Sequence, residues 1–502
     1  MSTRQRKKQQ NRRHEHSAKS RKRIAMVGGL TAGATLAMSG MAHAATTYTV
    51  GTTADTNTAG DCLTATNTDC SLRDAITDAN GNAGADTIHF KSGLTGTITL
   101  TSDLPTITDP VTITGPGAST LTLNGDDAYR IFDVLTVTDG DPVSISGLTL
   151  TGGNTASSTH PRDGGAILDE NADLTVADSV ITGNTANELG GGIYTGCADF
   201  VCGIGLSGYS AYLTLEGSTV SGNAATSGNG GGMYLNYGGA TITNSTISGN
   251  HASNGGAGLS IFYMQSPVLI ENSTIANNQA TNPSNTVGGG IFLFGNTGGL
   301  SLSNSTVAGN KAIQGGGIYD ESASSPPAED PPVLHNSIVA GNTAAVGSSD
   351  LFNASSSSFD SAFSLIGTTA HAAIHETVAG SDITGVNPML GPLAANGGPT
   401  KTQAPLAGSP AIDKGSRFGQ TKDQRSLTRP IDLPDYLNST AAGADGSDIG
   451  AVELQSSPGG GDVVTPPAPT PPTQHKKKCK KKKKAKKGAS AAKKKMCKKK
   501  KK

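Results

Sequence analysis

The chain has 502 residues with 67 Gly, 10 Phe, 10 Tyr and no Trp, and only 16% are charged. So much glycine and so little aromatic material exclude a helix-rich enzyme built on a large aromatic core and favour a stacked, sheet-rich architecture. The formal net charge of zero hides a segregation: 28 of the 39 basic residues lie in residues 1–23 and 476–502, which leaves 11 against 38 acids between them, a body near −27.

Residues 1–44 read as an export signal. The stretch SRKRIAMVGGLTAGATLAMSGMAHA combines a basic region, a Gly-interrupted apolar segment and a small-residue cleavage site at Ala42-His43-Ala44. No other segment approaches the ~18 apolar residues of a membrane span. The four cysteines of the remaining body suit an oxidising compartment, and their proximity in sequence predicts the local disulfides Cys62 with Cys70 and Cys197 with Cys202. A zinc site is disfavoured, because no histidine accompanies either pair at ligand spacing.

Residues 45–96 are expected to cap one end of the architecture. Within CSLRDAITDANGNAGADTIHF (70–90), Ser71 caps a short helix with Asp74 reaching back, and Leu72, Ala75, Ile76 and Ala79 share one face. A solenoid needs such a cover for its open core and unpaired strand edge. Residues 48–90 resemble the CSLREA domain, an N-terminal module found ahead of β-helical regions in exported bacterial proteins, with Asp74 in place of the Glu of its name.

Residues 97–386 carry a two-part repeat. Gly-Gly stations recur as GGAI (164–167), GGGIY (190–194), GGGMY (230–234), GAGL (256–259), GGGIF (288–292) and GGGIY (315–319). Between them stand short β-branched phrases such as NSTISGN (244–250), closing on Asn184, Asn223, Asn250, Asn278, Asn310 and Asn342 at spacings of 39, 27, 28, 32 and 32. Strands of four to six residues at a period near 30 predict an all-β parallel solenoid with one coil per repeat. The six closing asparagines are read as a structural ladder whose amides satisfy the buried turns. Asn244, Asn272 and Asn304 begin N-S-T triplets but are assigned to structure rather than to glycans.

The repeat region offers little chemistry. Glu216 and Glu271 share a phase, but Thr243 occupies it on the coil between, which places the two acids about 10 Å apart at ~4.8 Å per coil. The basic residues between 98 and 345 are Arg130, Arg162 and Lys311, and Arg162 beside Asp163 is the nearest approach to a lyase-type pair. The histidines His160, His251, His335, His371 and His375 are scattered, without the H-E-x-x-H order of a zinc site. No catalytic, cofactor or metal residue is assigned; weak structural calcium at Asp139-Gly140-Asp141 or Asp445-Gly446-Ser447-Asp448 is the most the acids support.

Residues 387–454 form a C-terminal module. Its phrases NPMLGPLAANGGPTKTQAPLAGSPAIDKG, DQRSLTRP and DIGAVEL look like the choice-of-anchor Q domain, and this resemblance implies a surface protein with a right-handed parallel β-helix. The GGAI and GGGI phrases are also similar to repeats of polymorphic outer-membrane proteins. A Pro-rich linker (455–475) leads to residues 476–502, of which 18 are lysine and Cys479 and Cys497 are two more. This tail is expected to be disordered and to hold wall polyanions or an anionic surface; export makes nucleic acid a poor partner. The sequence therefore predicts a secreted or surface-attached protein with an adhesin-like, glycan-binding or structural role. A polysaccharide lyase or glycoside hydrolase on the same scaffold is the alternative.

Overall fold

A computed structural model describes residues 45–455 except 58–61, 64–67, 137–139, 157–161, 197–210, 285, 296–298, 323–330 and 355–357. The export signal, the Cys197 and Cys202 pair, His160, Asp139, the linker beyond 455 and the lysine tail lie outside the described residues.

Among the described residues, four parallel sheets of twelve, eleven, six and eight strands run the length of the molecule. One coil shows the path. Asp173–Ala177 lies in the twelve-stranded sheet, Val180–Thr182 in the eleven-stranded, Thr185–Ala186 in the six-stranded and Ile193–Gly196 in the eight-stranded sheet. Each strand pairs only with its equivalents on neighbouring coils, so Leu174 lies between Val143 and Leu213. Inward-pointing Ile, Leu and Val residues stack into one continuous apolar column.

Three devices turn the chain, and each explains part of the repeated phrase. Asp178, Asn244, Asn272, Asn304 and Asn336 all hold φ between 45° and 52° at the corner between the twelve- and eleven-stranded sheets. Asn and Asp tolerate this left-handed conformation better than other side chains, which explains the asparagine of each N-S-T triplet. The serine that follows makes a second row: the Ser218 N–H donates to Ser245 Oγ and the Ser245 N–H to Ser273 Oγ, each at 3.1 Å.

The closing asparagines make the third device. Asn223 donates both its backbone N–H and its Nδ2 to Oδ1 of Asn250, each at 3.0 Å, and its remaining amide hydrogen to the Ile181 carbonyl. The same pattern links Asn184 to Asn223, Asn250 to Asn278, Asn278 to Asn310 and Asn310 to Asn342. The third residue of the stations from Gly192 onward, always glycine, belongs to this ladder, whereas the first station carries Ala166 at that place. A Cβ on Gly232 would stand 2.9 Å from Asn250 Nδ2 and 2.6 Å from the Gly258 carbonyl oxygen.

The N-terminal end is closed by helix α1 (Leu72–Gly81), whose Ser71 and Asp74 form a reciprocal capping box. Cys62 and Cys70 are disulfide-bonded. Arg73 grips Asp55 through two hydrogen bonds and donates to the Ser102 and Asp103 carbonyls, which fastens α1 to the first coils. Thr47–Val50 pairs with Asp86–Phe90 and supplies the outermost strand of the twelve-stranded sheet.

Residues 387–455 do not extend the solenoid. They double back and lie along the outer face of the eleven-stranded sheet. Gln424 bridges Thr246 and Thr274, the Ala451 N–H donates to Thr306 Oγ1, and Asn336 Nδ2 donates to the Asp448 carbonyl. At the centre of this contact Arg429 is fully buried, donating to Glu453, to Asn304 Oδ1 and to the Gly450 carbonyl. The row Thr246, Thr274 and Thr306 is buried as a result, so the threonine face of these coils is covered by the chain itself.

Candidate functional site

With the eleven-stranded face covered in part, the outer face of the eight-stranded sheet carries the most distinctive surface. Leu168, Tyr194, Tyr234, Ser260, Phe292, Tyr319 and Phe352 occupy one outward position on successive strands. The aromatic rings form a continuous row of stacked and edge-to-face contacts, edge-to-face between Phe262 and Phe292 and between Phe292 and Tyr319. Tyr194 lies 5.5 Å from Tyr234, Phe262 fills the gap at Ser260 by stacking on Tyr234 at 4.9 Å, and Tyr319 stacks on Phe352 at 5.0 Å and Phe352 on His371 at 5.3 Å. The first glycine of each station makes room for the row, since a Cβ on Gly230 would stand 2.8 Å from that of Tyr234. Signal for these rings was present in the sequence, as the aromatic that follows GGGI or GGGM. The spacing did not show that they align.

Within the row the ring faces are consumed by one another, and Tyr194, Tyr234, Phe292 and Tyr319 are buried. Aromatic surface reaches solvent at the corner that leads to the twelve-stranded sheet. There Tyr237 and Tyr263 stack at 5.5 Å with 16° between planes, flanked by the half-buried Phe262 and Phe294, and Tyr263 is 43% exposed. Both tyrosines hold left-handed backbone, φ 64° and 52°. Equivalent corners carry Asn171 and Gly295, residues suited to that conformation. A bulky side chain there costs about 1–3 kcal/mol, and such strain concentrates at functional positions. Burial, and then the neighbouring Tyr263, raise the Tyr237 phenol above its ordinary pKa, so it stays a hydrogen-bond donor at neutral pH.

An acid cluster lies near the Tyr194 end of the row. Asp163 accepts the Leu189 N–H at 2.8 Å, and burial, with Glu188 adding to it, pushes its pKa up to about 6. Its guanidinium neighbour is Arg130 rather than Arg162. Arg130 donates to the Asp163 and Gly164 carbonyls and lies 3.9 Å from Asp133, whereas Arg162 is exposed and makes no ion pair with Asp163. The expectation of an Arg162–Asp163 pair is therefore corrected: adjacent residues here point apart. Arg130 is 3% exposed and out of reach of a polymer substrate.

The other predicted positions are also placed. Thr243 lies between Glu216 and Glu271 in register, and Gln420 donates to Glu271 at 3.0 Å, so the two acids sit two rungs apart. His335 stacks on Phe418, His375 bonds Asp360, and His251 is exposed on the six-stranded sheet. Asp445 binds Ser447 and Arg417, and Asp448 accepts the Asp413 and Leu454 N–H groups. Among the described residues no three His, Cys, Asp or Glu side chains stand close enough to hold a metal ion. No described helix is long and apolar enough to cross a membrane.

Two inward-facing acids escaped the sequence reading. Asp169 and Asp320 follow an Ile-x-Asp pattern that reads as strand, and both are fully buried inside the coil. Asp320 is satisfied by Ser322 and Asn353, whereas Asp169 accepts only the Ala172 N–H, and burial raises its pKa well above the carboxylate range. Oδ2 of Asp169 has no hydrogen-bond partner among the described residues, so burial disfavours its charged form.

The chain matches the family model of the right handed beta helix region over residues 199–363. Among solved structures it is similar to pectate lyase Pel9A at 13% identity and a TM-score of 0.45, with 83% of this chain and 98% of that one covered. No curated protein matches it. The fold is a right-handed parallel β-helix.

Proposed function

We propose that this right-handed β-helix is an exported, surface-held binding module that engages glycans through its sides without cleaving them. The observation that carries the reading is the solvent-exposed aromatic corner at Tyr237 and Tyr263, where strained backbone is retained for side chains that fold stability does not require. The arrangements that came nearest to a catalytic pair do not make an accessible one: Glu216 and Glu271 are two rungs apart, and Arg130 is buried. Export and surface display rest on residues 1–44 and on the resemblance of 48–90 and 387–453 to the CSLREA and choice-of-anchor Q domains. Retention rests on residues 476–502, where each lysine near an anionic surface contributes about 1 kcal/mol.

One observation favours the polysaccharide lyase or glycoside hydrolase reading, namely Asp163, held at about 6 close to Arg130 and Tyr194. The deciding experiment incubates the mature chain with acidic and neutral polysaccharides, with and without calcium, and follows unsaturated products, new reducing ends and co-sedimentation. Binding without products supports the module. Products that vanish in Asp163→Asn establish the enzyme.

A further inference from the structure

The aromatic corner also indicates what kind of glycan it takes. No charged residue occurs from Met233 to Thr243, from Leu259 to Ile270 or from Ile291 to Gly295, the segments that build the corner and its flanks. The surface they present is aromatic and hydroxyl- or amide-bearing: Tyr237, Tyr263, the exposed Gln265 and Leu269, and Tyr212, whose hydroxyl bonds Thr241 at 2.8 Å. Tyr212 and Tyr263 each lie across a glycine of the following coil. A Cβ on Gly239 would stand 2.7 Å from the Tyr212 ring, and one on Gly295 would stand 2.6 Å from that of Tyr263. The glycines let each ring lie close against the following coil, and the 43% of Tyr263 that stays exposed is presented outward from the corner.

Charge narrows the partner. Residues 24–475 carry an excess of acids near −27, and of the three cations between 98 and 345 Arg130 is buried, Arg162 is exposed beside Asp163 in the loop before the first Gly-Gly station, and Lys311 lies on the six-stranded sheet. A polyuronate would meet repulsion and find no cation at the corner. An uncharged sugar offers apolar C–H faces for the rings and hydroxyls for Gln265 and the phenols, with no charge to desolvate.

We propose that the corner formed by Tyr237, Tyr263 and their neighbours is the contact site for an uncharged polysaccharide. This rests on the glycan-binding reading above. The test measures binding of the full-length protein to cellulose, mixed-linkage β-glucan, mannan and polygalacturonate, at low salt and at salt high enough to screen surface charge. Wild type is expected to bind at least one neutral polymer with little salt dependence. Tyr263→Asn and Tyr237→Asn install the residue found at the equivalent corner, Asn171, so each should weaken binding about tenfold or more while the melting temperature holds or rises.

Neutral-glycan binding that survives both substitutions overturns the site but leaves the glycan-binding reading intact. Binding of polygalacturonate that persists at high salt and depends on Tyr263 overturns the ligand class. No binding to any polymer sinks the reading and the site together. Self-association lost in Tyr263→Asn would reassign the corner to a second copy of the chain.

Discussion

Asn342 donates its backbone N–H and its side-chain Nδ2 to the same oxygen, Oδ1 of Asp350, at 2.9 and 3.0 Å. Six aligned amides thus end on a carboxylate. Each Asn from 184 to 310 points its Nδ2 toward the next coil, so the ladder's positive end faces Asp350, which balances it much as an anion balances a helix N-terminus. Thr368 satisfies the other oxygen with its N–H and hydroxyl, at 2.8 and 3.0 Å.

Removing that terminus leaves two donors of the buried Asn342 without their acceptor, along with the N–H and hydroxyl of the exposed Thr368, which can turn to water. Asp350→Ala should lower stability by about 3–5 kcal/mol, and Asp350→Asn by about 1–2 kcal/mol, because an amide turns one donor toward those of Thr368. Thermal and denaturant unfolding of the three proteins checks the order. Equal stability of Asp350→Asn and wild type would show that the charge is idle.

Ladder and glycine station act as one unit. Gly232→Ala drives a Cβ to 2.9 Å from Asn250 Nδ2, so it should destabilise by about 2–4 kcal/mol, comparable to Asn250→Ala. The double variant should lose clearly less than the two single losses combined. Full additivity would separate the two devices.

A raised carboxylate ties stability to pH. Because the pKa of Asp163 in the native state is about 6, above its unfolded value, its contribution is complete below the ordinary carboxylate range and disappears as pH rises through about 6. The difference corresponds to at most ~3 kcal/mol. Melting temperatures between pH 4 and 7.5, a window set by about 4 and about 6, should fall more steeply for wild type than for Asp163→Asn. Parallel curves would refute this.

The lateral module hangs on a buried guanidinium. Arg429→Met removes the guanidinium from Glu453, whose pKa burial already pushes up to about 8, and strips Asn304 Oδ1 and the Gly450 carbonyl of a donor, an expected loss of about 3–5 kcal/mol. Hydrogen exchange should quicken across 387–455 and at Thr246, Thr274 and Thr306 while the aromatic face stays protected. Uniform exchange over all coils would instead mean that module and solenoid unfold as one.

Sequence alone determined the coil. Gly, Asn and Ser recur at fixed phase because each meets a local demand, a left-handed corner or a tight backbone approach, that every coil repeats; the Ser71 capping box is local in the same way. Relations between coils were decided by the tertiary structure. Loop lengths vary, so whether Phe262 fills the place left by Ser260, and whether Arg130 or Arg162 stands near Asp163, depend on register rather than on neighbours in sequence. Nor did residues 387–455 carry a periodicity to say where they pack. Several of their polar side chains find partners on the threonine and asparagine rows beside the eleven-stranded sheet, which exist once the coils have stacked.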